Sequence, residues 1–237
     1  MDEREIFSRS IGLVGEEGYE KLKNASVAVF GVGGVGGFVC EALCRSGVGT
    51  LALFDDDKVA LSNFNRQIIA TTDSFGKDKL ETVRARLVSI NPAINVICNR
   101  VFYLPETADA YDLSGFDYVI DAVDTVSAKI EIIKRAKAVG VPVISSMGTG
   151  GKLDPLKLRV GDVSETRVCP LARVMRRELK KRNIFGVRVV YSIEEQSANM
   201  SAKKRDGRGA PPSMIFVPAT AGLVIASEVV KDLLSEK

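Results

Sequence analysis

Val27-Ala28-Val29-Phe30-Gly31-Val32-Gly33-Gly34-Val35-Gly36-Gly37 is the stretch on which the fold turns. Four consecutive apolar residues read as a strand buried on both faces, as strands of parallel sheets are. Gly31, Gly33 and Gly36 then fit G-x-G-x-x-G, and the pattern 36–46 beyond them reads as a helix ending at Gly47, a natural left-handed cap. Glycines in that position let the backbone turn tightly and approach a phosphate, whose charge sits at the helix N-terminus. Asp55 closes the next apolar run, 24 positions after Gly31, where a carboxylate can meet a ribose hydroxyl. Taken alone the loop fits NAD and ATP equally, and glycines kept only for helix–sheet packing are the plain alternative.

Working outward, strands are expected at 50–54, 94–98, 118–121 and 141–145, with helices at 76–90 and 127–139 and a short helical stretch at 105–111. That alternation implies an α/β fold, a Rossmann-like doubly wound sheet that is mainly parallel. After Met147 the texture changes. The alternating run 153–160 reads as an antiparallel strand, 171–182 as a basic amphipathic helix, 187–191 as a strand, 196–213 as a mobile loop and 219–234 as a last helix. Antiparallel strands are thus expected in the C-terminal third.

The 237 residues allow one large α/β domain or two small ones, and 46% hydrophobic with 27% charged residues is globular composition. The chain contains no histidine. That removes the usual general base, the Ser-His triad and nearly every catalytic zinc site. Cys40, Cys44, Cys98 and Cys169 form no C-x-x-C pair, which excludes a zinc ribbon. Cys40 and Cys44, four apart on a helix, read as packing residues. Cys169 precedes Pro170 at a helix start, where a thiol can be activated, although a neutral packed thiol is the simpler reading. The charged N-terminus lacks a signal-peptide core, and the apolar run 214–226 is too short to span a bilayer, so a cytoplasmic protein without membrane contact is expected.

Charge is unevenly spread. The segment from Arg167 to Arg208 carries twelve Lys and Arg against four acids, net +8, while the rest is net −5, for a total of +3. Such a segment is either a solvated helix face with a flexible loop or a footprint for a polyanion such as RNA.

Asn63, Arg66, Lys79 and Asp124 separate ATP from NAD. A triphosphate needs extra cations and a carboxylate for Mg²⁺, and these residues supply them around the glycine loop. Asp124 follows the strand ending at Asp121, at the carboxyl edge where open α/β sheets bind ligands. An NAD-binding oxidoreductase or regulatory module would leave Asn63, Arg66 and Lys79 idle.

Gly31-x-Gly33-Gly34-x-Gly36, Asp55-x-Asp57, Ser62-Asn63-x-x-Arg66-Gln67, Lys79 and Asp121-x-x-Asp124 together resemble the adenylating enzymes related to ubiquitin-activating enzyme, the ThiF/MoeB family. The resemblance implies that Gly31, Gly33, Gly34, Gly36, Asp55, Asp57 and Gln67 line an ATP site with Asp55 on the ribose. It further implies that Asn63, Arg66 and Lys79 contact the phosphates and that Asp124 supports Mg²⁺. Arg9, in Phe7-Ser8-Arg9, matches the arginine that such homodimers insert into the partner's site. One adenylation domain over 1–237 is implied, in which residues 1–147 bind the nucleotide and residues 148–237 form the C-terminal addition. Asn65-Arg66-Gln67-Ile68, Gly148-Thr149-Gly150-Gly151 with Asp154-Pro155, and Pro170-Leu171-Ala172 resemble the tRNA-modifying dehydratases of this family. For them the implied reaction is ATP-dependent dehydration of threonylcarbamoyladenosine in tRNA through an acyl-adenylate, with the anticodon arm on the basic segment; Arg9, Arg66, Lys79 and Asp124 would carry it. Cys169 departs from the Asp expected before Pro-Leu-Ala. The alternative is an adenylyltransferase for a ubiquitin-like sulfur carrier, which leaves the +8 segment and the missing zinc cysteines unexplained. Sulfur-relay proteins remain open as partners.

Overall fold

The apolar run at 27–30 forms β1 (Ser26–Phe30), an interior strand hydrogen-bonded in parallel on both sides, which is why it tolerates no polar face. In the computed structural model, which describes residues 2–195 and 211–235, α1 (Glu3–Ile6) and α2 (Ser8–Asn24) precede it. There follow α3 (Gly36–Arg45), β2 (Thr50–Asp55), α4 (Lys79–Ile90), β3 (Asn95–Arg100), β4 (Tyr118–Asp121), α5 (Val126–Ala138) and β5 (Val143–Ser146). The C-terminal third adds β6 (Leu158–Asp162), α6 (Pro170–Lys181), β7 (Arg188–Ser192) and α7 (Phe216–Leu234). All strands belong to one seven-stranded sheet of order β3-β2-β1-β4-β5-β7-β6. This is the expected doubly wound fold, and its order reverses between β1 and β4, where such sheets open a ligand crevice.

Helices cover both faces. Leu22 of α2, Val39 and Leu43 of α3, Val83 and Leu87 of α4, and Ile225 and Val229 of α7 bury against one face. Ile132 and Ile133 of α5 and Met175 and Leu179 of α6 bury against the other, beside a cluster in which Phe30 stacks on Phe54 at 4.2 Å. Cys40 and Cys44 lie buried on α3, and burial pushes both thiols up, so they are packing residues.

Several elements depart from the pattern reading. The strand expected over 153–160 begins only at Leu158, because Asp154 caps a 3₁₀ turn at Pro155–Lys157. β6 alone runs antiparallel, against β7, whereas β7 extends the parallel set beside β5. α4 starts at Lys79 rather than 76, since Gly76 has φ +75° and Asp78 accepts the Leu80 N–H as N-cap. The stretch 105–111 contracts to one 3₁₀ turn, Ala108–Ala110, while α7 begins three residues early at Phe216. α1 and α2 carry no clear apolar stripe: only Gly18, Tyr19 and Leu22 of α2 are buried, and Gly15 at φ +76° interrupts it. Most of the loop read at 196–213 lies outside the described residues.

Candidate nucleotide site at the strand-order reversal

Two crossings make the walls of the crevice. After β1 the chain turns at Gly31, at φ +83°, with its N–H donating to the Phe54 carbonyl (2.8 Å). A Cβ at Gly31 would lie 2.9 Å from the Ala122 carbonyl oxygen, and one at Gly36 would drive into the Gly31 carbonyl, so neither position admits a side chain. The loop therefore closes tightly, with α3 starting at Gly36 and its first N–H groups at the crevice. The opposite wall is Ala122–Thr125, between β4 and α5.

Asp55 ends β2. One carboxylate oxygen accepts the Val32 N–H (2.8 Å) and the other the Asp57 N–H (2.9 Å), which locks its orientation beside the loop. Lys79 is buried at 5% exposure; its Nζ lies 2.6 Å from Asp57 Oδ2 and 4.0 Å from Asp55 Oδ1. Segment 57–59 pairs with 77–79, Lys79 donating its N–H to the Asp57 carbonyl (3.1 Å), so backbone as well as charge holds this pair. Asp56 remains exposed; desolvation, then Asp57 and Asp55, push its carboxyl above the usual range.

Asn63 and Gln67 are buried in the same turn, and the Arg66 and Gln67 N–H groups both donate to the Asn63 carbonyl. The Asn63 side-chain oxygen accepts the Ala60 N–H (3.0 Å), which leaves its NH₂ available. Arg66 lies across Gly34, whose Cβ position is 3.5 Å from Arg66 Cγ, and its guanidinium meets no carboxylate among the described residues. Gln67 Nε2 is 3.6 Å from the Cβ position of Gly33, while Gln67 Oε1 is buried without a partner among the described residues. A glycine cradle and a guanidinium bonded only to the Ser62 carbonyl and the Asn65 side-chain oxygen among the described residues fit a bound phosphate ester, and the orphaned Gln67 acceptor calls for a hydroxyl or water donor.

Asp124 is exposed, and among the described residues only the Thr125 hydroxyl is near its carboxylate (3.5 Å). Its free hard oxygens suit Mg²⁺. Arg9 is not brought into this group. Phe7 packs on Tyr19 (ring centroids 5.5 Å) and against Gly47, which precedes β2, so the N-terminal segment is anchored at the sheet's amino edge. Arg9 itself is exposed.

The motif reading includes Asp121 but misses its buried partner, Lys129. Asp121 and Lys129 are both 0% exposed, with Lys129 Nζ 2.9 Å from Asp121 Oδ2. The only trace in the sequence is a lysine in the first turn of a helix otherwise packed on the sheet. Lys152 is also buried, donating to the Gly148 carbonyl (2.6 Å) near the Cys169 thiol, and desolvation pushes its amine down.

On α6, Arg173, Arg177, Lys180 and Lys181 are exposed. Arg176 departs from the expected common face: it is half-buried and donates to the Thr166 carbonyl and hydroxyl. Glu178 sits among Arg182, Lys181 and Arg177, and their hydrogen bonds hold its carboxyl down at about 2. The basic residues between 196 and 210 lie outside the described residues.

Fold and site together define a doubly wound α/β protein with a candidate nucleotide cradle at the strand-order reversal. The ThiF family model matches residues 7–237, and the chain belongs to that family. It is 42% identical to the tRNA threonylcarbamoyladenosine dehydratase of Bacillus subtilis over 97% of this chain and 95% of that protein. The crystal structure of Escherichia coli tRNA N6-threonylcarbamoyladenosine dehydratase, TcdA, in complex with AMP superposes with a TM-score of 0.89 at 33% identity, over 98% of this chain and 94% of that one. The complex of the same enzyme with ATP gives 0.88 at 33% identity, with the same coverage. The sulfur carrier protein ThiS adenylyltransferase of Escherichia coli is 35% identical, but over only 65% of this chain and 63% of its own. No helix among the described residues is long and apolar enough to cross a membrane.

Proposed function

We propose that this protein is an ATP-dependent tRNA threonylcarbamoyladenosine dehydratase. The observation that carries the reading is likeness along nearly the whole chain, C-terminal third included, to proteins of that activity. The match to the sulfur-carrier adenylyltransferase stops at about two thirds of the chain. β7, from the C-terminal third, hydrogen-bonds to β5, which supports one domain over 1–237 rather than two.

The adenylation step needs no general base. A threonylcarbamoyl carboxylate, already ionised at neutral pH, attacks the α-phosphorus of ATP; the bond to pyrophosphate breaks, and an acyl-adenylate remains. The carbamoyl group then attacks the activated carbon, the bond to AMP breaks, and the N–H proton released on ring closure passes to the departing phosphate or to solvent, so that the nucleoside has lost one water. This chemistry suits a protein without histidine. Its demand is electrostatic: charge shifting onto the phosphates meets Arg66 and Lys79 and the N–H groups at the start of α3. Asp55 orients the ribose, and the Asn63 amide is a neutral donor beside them. Asp124 would hold Mg²⁺, which neutralises phosphate charge when bound.

Arg9 completes the site in trans in this reading. Its anchoring at the amino edge and the open apolar side chains Leu13 (86% exposed) and Leu156 (84%) support a homodimer. Arg173, Arg177, Lys180 and Lys181 support a tRNA phosphate footprint beside the anticodon arm. A tRNA substrate supports a cytoplasmic location.

The test incubates tRNA bearing threonylcarbamoyladenosine with the protein and ATP–Mg²⁺, then weighs the digested nucleosides. Loss of one water, dependent on ATP and abolished by Arg66→Ala, is expected. No mass change, with ATP–pyrophosphate exchange only on adding a Gly-Gly-ended carrier protein, would assign a sulfur-carrier activator instead.

A further inference from the structure

We infer that Lys129 is a positioning residue for the adenylation site, fixing the Val123 peptide and hence the adjoining carboxylate of Asp124 against the glycine loop. The inference deepens the dehydratase reading and rests on it for the reaction, though not for the loop itself.

Stability does not explain where Lys129 stands. It is the fourth residue of α5, where the helix dipole disfavours a cation. Lys129 and Asp121 are wholly buried, and buried ion pairs are commonly no more stable than apolar residues of similar volume. What the pair accomplishes is local. Asp121 Oδ1 accepts the Val123 N–H (3.3 Å), and Lys129 Nζ donates to the Val123 carbonyl (3.1 Å), so both sides of one residue's backbone are held. Lys129 Nζ also donates to the Ser146 carbonyl (2.8 Å), and the Ser145 hydroxyl donates to Asp121 Oδ2 (2.6 Å). The wall after β4 is thereby tied to the end of β5.

That wall touches the cradle. Val123 Cγ1 lies 3.2 Å from the Cβ position of Gly31, and the Ala122 carbonyl is 2.9 Å from the same point. Asp124 is the next residue, and its own side chain has almost no support. Its carboxylate inherits its place from Val123, and Val123 from Lys129 and Asp121.

The test compares the unaltered protein with Asp121→Asn/Lys129→Met, which removes the buried charges together, and with Ser145→Ala, which removes only the hydroxyl orienting Asp121. In nucleotide-free protein, amide exchange of Val123 and Asp124 is expected to quicken about tenfold in the double variant while the β1 amides stay protected. With nucleotide, AMP affinity without metal is expected within about twofold, and the Mg²⁺ concentration for half-maximal ATP binding, by calorimetry, about tenfold higher. The dehydration kcat should fall about a hundredfold with KM for ATP nearly unchanged, as for a misplaced catalytic group. Ser145→Ala moves each readout the same way by about threefold, and it carries the test if the double variant does not fold. Folded variants with unaltered exchange at 123–124 and unaltered Mg²⁺ dependence would overturn the inference. Unaltered protein that binds no adenine nucleotide would overturn the dehydratase reading instead, and the exchange measurement would still judge Lys129.

Discussion

Lys79 Nζ lies 2.6 Å from Asp57 Oδ2, so the buried cation of the candidate site is charge-balanced before a nucleotide arrives. In the proposed reading, ATP entering the site would share that cation with Asp57, its β- and γ-phosphates competing for it. Lys79→Met is therefore expected to lower the dehydration rate by about 10²- to 10³-fold and to weaken ATP binding more than AMP binding. Equal losses for ATP and AMP, measured by calorimetry, would remove Lys79 from the outer phosphates.

Gly36 is fixed by shape rather than charge. A methyl group there drives into the Gly31 carbonyl, which is backbone and cannot swing away. Gly36→Ala should cost about 2 kcal/mol of stability by overpacking and abolish nucleotide binding. Gly76→Ala serves as the comparison: φ is +75° there, but the space is open, so only backbone strain of about 1 kcal/mol is expected, with nucleotide affinity retained. Two melting curves with and without AMP read both variants.

If Arg9 acts across a dimer, inactive Arg9→Ala and inactive Arg66→Ala proteins complement one another. In a mixed dimer one site has neither defect, so a re-equilibrated equimolar mixture should regain about a quarter of full activity. Absence of any recovery, with subunit exchange verified, would place Arg9 in its own chain's site.

The exposed cations of α6 give a salt test. Replacing Arg173, Arg177 and Lys180 by Ala should lower the slope of log affinity for tRNA against log salt by about 2 to 3, one contact per lost cation. Arg176→Ala should act differently, destabilising the fold through lost bonds to Thr166 with little change in slope. A slope unchanged by the triple substitution would move the tRNA footprint elsewhere.

Lys152 gives a pH dependence. Burial holds its amine below the ordinary 10.5, so between the folded and unfolded values the unfolded chain binds the additional proton. Stability contributed by this residue consequently rises with pH across that interval. Lys152→Met should flatten that rise in melting temperature on the alkaline side of neutrality, with Asp154 and the Glu194 contacts to the Leu153 and Asp154 N–H groups left intact. An identical slope in both proteins would show that another group carries it.

Residues 27–37 by themselves determined a strand, a phosphate-approaching turn and a helix, because strand burial, glycine spacing and helix periodicity are all local properties. The same locality made the order of elements legible, and it made Asn63, Arg66 and Lys79 recognisable as candidates for an ATP site. Tertiary structure alone decided what depends on distant partners. Asp121 meets Lys129 and Ser145 across the single crossover from β4 through α5 to β5, and neither spacing nor residue type announces that a lysine in a helix's first turn is wholly buried. Arg176 shares the helical spacing of Arg173 and Arg177, yet Thr166 draws it away from the open face. α2 carried too few apolar residues to be read; its place is set by Phe7, Tyr19 and Gly47 packing together, residues far apart in the chain whose contacts exist only once the sheet has formed.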